Sequence, residues 1–434
     1  MVEQAAGKQL QHGSPHGYGA ELTTRQFAVL IVAIALGTLL EWYDFFAYSQ
    51  LNAYLTKVFF PAGDPAVTQL SFWGVYAVGF ISRPVGALLF GHLGDTRGRR
   101  ICLLVSVTMM AIPTVLIGCL PTFAQAGIAA PILLALLRAI QGLAMGGEFG
   151  CAMVYLHEIA PAKAKGLVGS IGFASAMVGC MLGVLVVVIV EAIFSPAQML
   201  IFGWRLPFLL SIISASAAFA LRMHMPEPEE FTRERQQHWG GVLLQFLFEA
   251  WVSIGFWVIS TWLPLQLRKA PVFMPEKISQ AMLIVNLSVM GAVQLAAGWA
   301  SDKGMPRVWS CFAVFTAAAG ISVPVFIGFA RCGVAGCWLL HLLLMVLMGW
   351  VLGVVPATCS SIYPATVRSS GFNLAHNMAM SWLGGVSPTI VTALVAATGS
   401  AVLAPGLLLV VAAVVSMVAA LALLKYAPAA NKSF

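Results

Sequence analysis

The chain has 434 residues, 60% of them hydrophobic and only 9% charged, which is too little polar surface to wrap a water-soluble globule of that length. Such a composition excludes a disordered chain, and long unbroken apolar runs exclude an alternating β-barrel, leaving a bundle of helices in lipid. The formal charge of +7 does not point to nucleic acid, because Lys and Arg are scattered between apolar runs, where they read as a membrane-topology signal.

In chain order, residues 1–25 are polar, rich in Gly, Gln and His, and lack the apolar core and cleavage site of a secretory signal. They are expected to form a disordered cytoplasmic tail. A spanning helix needs about 20 apolar residues. Runs of that kind lie at 27–56, 68–93, 101–120, 130–159, 167–193 and 203–224. After a polar interval they resume at 242–265, 278–300, 308–330, 336–362, 370–397 and 402–424. The interval from Pro226 to Gly240 carries two prolines and a dense set of polar side chains, which no membrane segment tolerates. The predicted architecture is therefore an all-α membrane protein with twelve transmembrane helices in two six-helix bundles. Its parts are a tail (1–25), a first bundle (26–225), a cytoplasmic linker (226–241), a second bundle (242–425) and a tail (426–434).

Orientation follows from the cations. With the N-terminus inside, one face collects Lys8, Arg25, Arg97, Arg99, Arg100, Lys163, Lys165, Arg222, Arg233, Arg235, Lys303, Arg307, Arg368, Lys425 and Lys432. The other face holds only Lys57, Arg268, Lys269, Lys277 and Arg331, so both termini are expected in the cytoplasm. Of the eight cysteines, Cys102, Cys151, Cys180 and Cys359 fall inside apolar runs without metal-ligand spacing and read as small buried hydrophobes. Cys332 and Cys337 share a short loop, where a disulfide or two free thiols would fit.

The halves repeat. Gly91-His-Leu-Gly-Asp95-Thr-Arg97-Gly98-Arg99-Arg100 follows the second run, and Gly298-Trp-Ala-Ser-Asp302-Lys303-Gly304-Met-Pro-Arg307 follows the eighth. A second echo places a cation four residues after a proline, at Pro161 with Lys165 and at Pro364 with Arg368. Two echoes at matching places indicate an internally duplicated transporter with parallel halves.

Charges inside a bilayer are costly unless paired or wet, so each is a functional candidate. Six lie well inside runs: Glu41, Asp44, Arg83, Arg138, Glu148 and Glu249. Counted alone they are two cations against four acids, so one or two acids are expected to hold a proton for part of a cycle. Glu41 and Asp44 are three apart and share a helix face. Arg83 and Arg138 suit a substrate carboxylate, which guanidinium pairs bidentately, while Glu41, Asp44 or Glu148 would couple protons. Glu249, amid Trp251, Phe256, Trp257 and Trp262, would face a substrate cation, although belts and helix packing explain these Trp residues equally well. Tyr48, Gln141, Trp257 and Asn377 complete the candidate substrate-binding set; His341 and His376 read first as polar helix contacts. Gly142, Gly146 and Gly150 form a small-residue stripe that admits a neighbouring backbone.

Several stretches together resemble the major facilitator superfamily, and within it the metabolite:proton symporters. They are Glu41-Trp-Tyr-Asp44-Phe, Arg83-Pro-Val-Gly86 leading into Gly91 to Arg100, Arg138-Ala-Ile-Gln141-Gly142 with Gly146-Gly147-Glu148, Glu158-Ile-Ala-Pro161, Gly203-Trp-Arg205-Leu-Pro207-Phe, and Arg368-Ser-Ser-Gly371 with Asn377 and Gly384-Gly385. The resemblance implies symport of a proton with an organic acid such as citrate, oxoglutarate or shikimate, or with a zwitterion such as proline or betaine. It also implies that Gly91, Asp95, Arg97, Gly98, Arg99 and Arg100, echoed by Asp302 and Arg307, form an inner-gate latch. Departures include Lys165 in place of an arginine, Ser49 in place of a glycine, an arginine lost from the second-half loop, and a short linker.

No phosphate-cradling loop, Ser-His-Asp set or metal motif can be assembled, so neither an enzyme nor a cofactor is expected. The expected partners are a small metabolite, H⁺ and the bilayer, with the chain acting as a monomer in a plasma or bacterial inner membrane. Na⁺ is an alternative ion. A channel has no use for two copies of a latch, and a receptor would carry a signalling extension.

Overall fold

The structure, a computed structural model, describes residues 24–60, 65–225, 239–268, 272–364 and 367–427; most of each predicted tail and most of the predicted linker fall outside the described residues. Among the described residues, twelve helices are long and apolar enough to cross a membrane. They are α1 (Arg25–Gln50), α2 (Gly74–Gly94), α3 (Arg99–Cys119), α4 (Ala129–Ile159), α5 (Ala162–Ile193), α6 (Gly203–Arg222), α7 (Ala250–Leu267), α8 (Glu276–Asp302), α9 (Arg307–Arg331), α10 (Val334–Ser360), α11 (Arg368–Thr398) and α12 (Leu403–Tyr426). Large apolar side chains such as Ile81, Leu88, Ile112, Ile213, Val411 and Val418 stay exposed, which suits a surface solvated by lipid.

Two details differ from the apolar runs. The first run breaks at Gln50, and a separate short helix, Asn52–Phe59, follows it. The helix leading into α7 begins at Trp239, inside the span predicted as linker.

Within the first six spans α1 packs on α5 and α6, and α4 on α2 and α3; within the last six α9 packs on α12 and α10 on α8. The two sets meet along α5 with α8 and α2 with α11, seams that exchange under the repeat. Small residues make both possible. Cβ atoms on Gly166 and Gly298 would run into Ser301 and Ser170, while Gly91 and Gly94 lie against Ser370 and Ser369. The glycine stripe of α4 divides its work: Gly142 and Gly146 seat the backbone of α2 at Gly79 and Arg83, whereas Gly150 faces Asn373 of α11.

Cys102 and Cys151, read from sequence as separate small hydrophobes, are joined in a disulfide between α3 and α4. Cys332 and Cys337 are both free thiols.

Candidate functional site

Glu41 and Asp44 share one face of α1, as their spacing requires, and each meets an arginine from another helix. Arg83 Nη2 of α2 lies 3.3 Å from Glu41 Oε1, and Arg138 Nη1 of α4 lies 2.5 Å from Asp44 Oδ2. None of the four side chains is more than 3% exposed, so water does not screen the pairs. Phe45, the residue after Asp44, places its ring 5.6 Å from the Arg83 guanidinium and 5.4 Å from that of Arg138. Arg138 also sits 3.9 Å over the ring of Tyr48, and Arg83 lies 5.2 Å from the Phe80 ring. The second half contributes Trp257, which stacks on Trp42 at 6.3 Å and meets Phe80 edge-on at 4.8 Å.

The cluster is incompletely satisfied. Arg83 Nε and Nη1, Arg138 Nε and Nη2, Glu41 Oε2, Asp44 Oδ1, Tyr48 OH and Trp257 Nε1 are buried without a hydrogen-bond partner. Unmade hydrogen bonds at such depth are expensive, and here they fall within one aromatic-walled cluster.

Four of the candidate residues make contacts elsewhere. Gln141 turns away from the second half and donates to Thr114 Oγ1 of α3 at 2.7 Å. Asn377 donates to the Gly146 carbonyl at 2.9 Å, tying α11 to α4 instead of lining the cluster. Glu148 is held by Arg222, Nη2 to Oε1 at 2.5 Å and Nη1 to Oε2 at 2.8 Å, and by the Ser106 hydroxyl. Arg222 had been counted among the loop cations; it is fully buried at the end of α6, which lowers the interior acid excess by one. Glu249 is not open to a ligand cation either. Its carboxylate accepts from Gln245 Nε2 at 2.7 Å and meets His376 Nδ1 at 2.6 Å.

The end of the bundle that carries the repeated loops is tied shut. Glu158, at the foot of α4, takes Arg99 Nη2 at 3.2 Å from its own half and Arg368 Nη1 at 3.5 Å from the other. Asp302 accepts from the backbone N–H groups of Gly166 and Leu167, each at 2.7 Å, and so caps the start of α5 across the seam. Both repeated loops turn at a glycine with φ near +100°, Gly98 at 101° and Gly304 at 105°, where a side chain would be strained. Arg100 donates to the Met223 carbonyl of its own half, and Arg97 is exposed. Arg307 lies 3.5 Å from Asp302 in its own half. The Asp95 backbone is helical, and its side chain lies outside the described residues.

At the opposite end a cleft of about 430 Å³ opens between the halves, lined among others by Ser49, Gln50, Thr261, Gln266, Arg268 and Gln280. Phe46 is among its lining residues, and the Phe46 ring lies 6.5 Å from that of Phe256, which in turn meets Trp42 at 5.4 Å. Ring contacts therefore run from this cleft to Trp42, 5.8 Å from the Arg83 guanidinium. In the short helix Asn52–Phe59, burial first and then the Glu191 carboxylate raise the Tyr54 phenol above its ordinary pKa.

The sequence pattern of the family described as "Sugar (and other) transporter" matches residues 29–240. The alpha-ketoglutarate permease of Escherichia coli (strain K12) is 31% identical over 382 residues, covering 83% of this chain and 86% of that protein. The proline/betaine transporter of Salmonella typhimurium is 29% identical over 417 residues (89% and 81%), and the citrate-proton symporter of Klebsiella pneumoniae is 29% identical over 386 residues (85% and 86%). Among solved structures, the proton:xylose symporter XylE superposes with a TM-score of 0.77 at 17% identity, covering 94% of this chain and 97% of that one, a likeness of fold. With twelve spans, a duplicated loop motif and relatives that match across most of their length, the chain is an integral membrane transporter of the major facilitator superfamily, in its metabolite:proton symporter family.

Proposed function

We propose that this transporter moves a small carboxylate metabolite together with a proton by alternating access, its two halves (26–225 and 242–425) rocking about the charged cluster. One observation carries the reading: two buried arginines at the junction of the halves retain unpaired guanidinium N–H groups, beside two carboxylates that can accept a proton. Guanidinium groups already desolvated by protein bind an incoming carboxylate without a fresh dehydration penalty, and the displaced Glu41 or Asp44 side chain then favours its protonated form. Cargo and proton thus occupy one electrostatic site, which makes their binding interdependent. The tied, cation-rich end is the cytoplasmic one, with both termini beside it, and the cleft at the other end is the entrance from outside. The chain works as a monomer in a plasma or bacterial inner membrane.

A zwitterionic osmolyte is the second reading. It is favoured by the rings of Trp42, Phe80, Phe256 and Trp257 at the junction, which suit a quaternary ammonium, and by the names of the proline and betaine relatives. Counterflow in proteoliposomes with labelled oxoglutarate, citrate, shikimate, proline and betaine, with and without a proton gradient, separates the two. Exchange of the acids alone, accumulated only when the outside is acidic, supports the first; exchange of betaine and proline alone rejects it.

A further inference from the structure

Four acids are buried among the described residues, and three of them face an arginine: Glu41 with Arg83, Asp44 with Arg138, and Glu148 with Arg222. Those partners stay cationic at any physiological pH. Glu249 alone is paired with a histidine, His376, and histidine, unlike arginine, can gain or lose its charge without leaving the physiological range in its unperturbed form. Both are almost fully buried, and a bare carboxylate at that depth is costly, so the pair is best satisfied when it carries one shared proton.

The surroundings of His376 connect that proton to the arrangement of the halves. Its ring stacks on Phe149 of α4 at 4.8 Å and 19° and meets Phe173 of α5 edge-on at 5.8 Å and 90°. On its own helix Phe372 lies parallel at 5.8 Å. Two of the three rings around the imidazole therefore belong to the first six spans, while the bonded carboxylate belongs to the last six. Ring faces attract an imidazolium, and they keep water from it. Where α4 and α5 draw away from α11, the imidazole loses both rings and meets water on the side of the tied end.

We propose that Glu249 and His376 form a second proton-binding site, filled while the cytoplasmic end is closed and emptied into the cytoplasm as it opens. This rests on the proton-coupled reading above but uses different residues, so the two can fail separately. Other groups facing the pair are Gln245 from the helix before α7, the Cys359 thiol of α10, and Tyr363 in the turn after it. Burial holds the Tyr363 phenol well above its ordinary range, so it stays neutral. Among the described residues, the first half faces His376 with the rings of Phe149 and Phe173. A site that holds a proton when closed and loses it when open weakens closure as pH rises, by at most about tenfold in the closed-to-open ratio per pH unit.

The test uses the full chain in lipid nanodiscs, with the native cysteines replaced and spin labels at K163C and K303C, exposed positions on opposite halves at the tied end. Pulsed dipolar distances are recorded from pH 5 to pH 9. The short-distance population is expected to fall with rising pH in the otherwise unaltered protein, to be flat and low in H376Q, and to be flat and high in H376R, where the charge is permanent. The same pH dependence in H376Q as in the unaltered protein overturns the proposal. E249Q supplies the second arm: its pH dependence is expected to be blunted, and an unaltered profile there is equally fatal. Uptake driven by a pH gradient is measured alongside. If gradient-driven accumulation persists while the distances ignore pH, the second site fails and symport stands; if distances follow pH through His376 while uptake ignores the gradient, the site stands and symport fails.

Discussion

Arg222 and Glu148 grip each other through two parallel hydrogen bonds, 2.5 and 2.8 Å long, although 74 positions separate them in the chain. The remaining donors of Arg222 reach the carbonyls of Ala33, Ile34 and Leu103, so α1, α3, α4 and α6 are clasped at one point. Removing either partner leaves a buried charge alone, a loss of about 3–5 kcal/mol. Arg222→Gln and Glu148→Gln should each lower the thermal unfolding temperature in detergent by several degrees. A Glu148→Gln protein that melts like its parent would mean the clasp contributes little to the fold.

Arg83 and Arg138 should behave differently. Replacement of either by Gln is expected to weaken equilibrium binding of the proposed carboxylate substrate by at least about tenfold, or ~1.4 kcal/mol, because a two-toothed contact to carboxylate is lost. Replacement by Lys should recover only part of this, since a point charge lacks the planar fork. Scintillation proximity binding reads both; unchanged affinity in Arg83→Gln and Arg138→Gln together would reject the carboxylate assignment.

The cap that Asp302 places on α5 holds the halves together through backbone groups. Asp302→Ala should cost about 1 kcal/mol of closure, roughly a fivefold shift towards the inward-open form. Maleimide labelling of a cysteine introduced at Ser170, buried in this seam, should speed up accordingly. No change in labelling rate would show that the Glu158 fork closes the seam without it.

Glycines of α4 give a comparison within one helix. A Cβ at Gly146 would overlap the Arg83 carbonyl inside the first half, while one at Gly150 would overlap Asn373 Oδ1 across the seam. Gly146→Ala should lower stability in every conformation. Gly150→Ala should instead bias the protein inward-open, visible as faster labelling at the same Ser170 reporter with a smaller drop in melting temperature.

Much of this organisation is legible in the sequence because it is written in local pattern. Apolar run length locates twelve spans, and the repeated Asp-to-Arg loop exposes the duplication. Depth along the first, second and fourth spans brings Glu41, Arg83 and Arg138 to one level, where the structure joins two of them directly and the third through Asp44 and Phe45. Partner choice is not local, and there the reading stops. Arg222 ends an apolar run and looks like an interfacial anchor; nothing in its neighbours says that Glu148 lies beneath it. Glu249 and His376 are 127 positions apart, and each alone suggests a different role. Glu158 is visible only as part of a motif, because its value as a fork depends on arginines from two other helices.

Two spans do not keep a constant helical pitch. Residues Val258–Trp262 of α7 and Ala379–Gly385 of α11 wind as π-helix, and Gly384 in the second abuts Trp257 just before the first. A π turn inserts one residue more than an α turn, and each residue of an α-helix advances about 100° around the axis. A helical wheel drawn from the tied end therefore slips by one position past Trp262 in the first and past Gly385 in the second. Scanning mutagenesis of the outer thirds of these spans needs to be phased from Leu267 and Thr398 inward, or residues facing lipid will be scored as lining the permeation route.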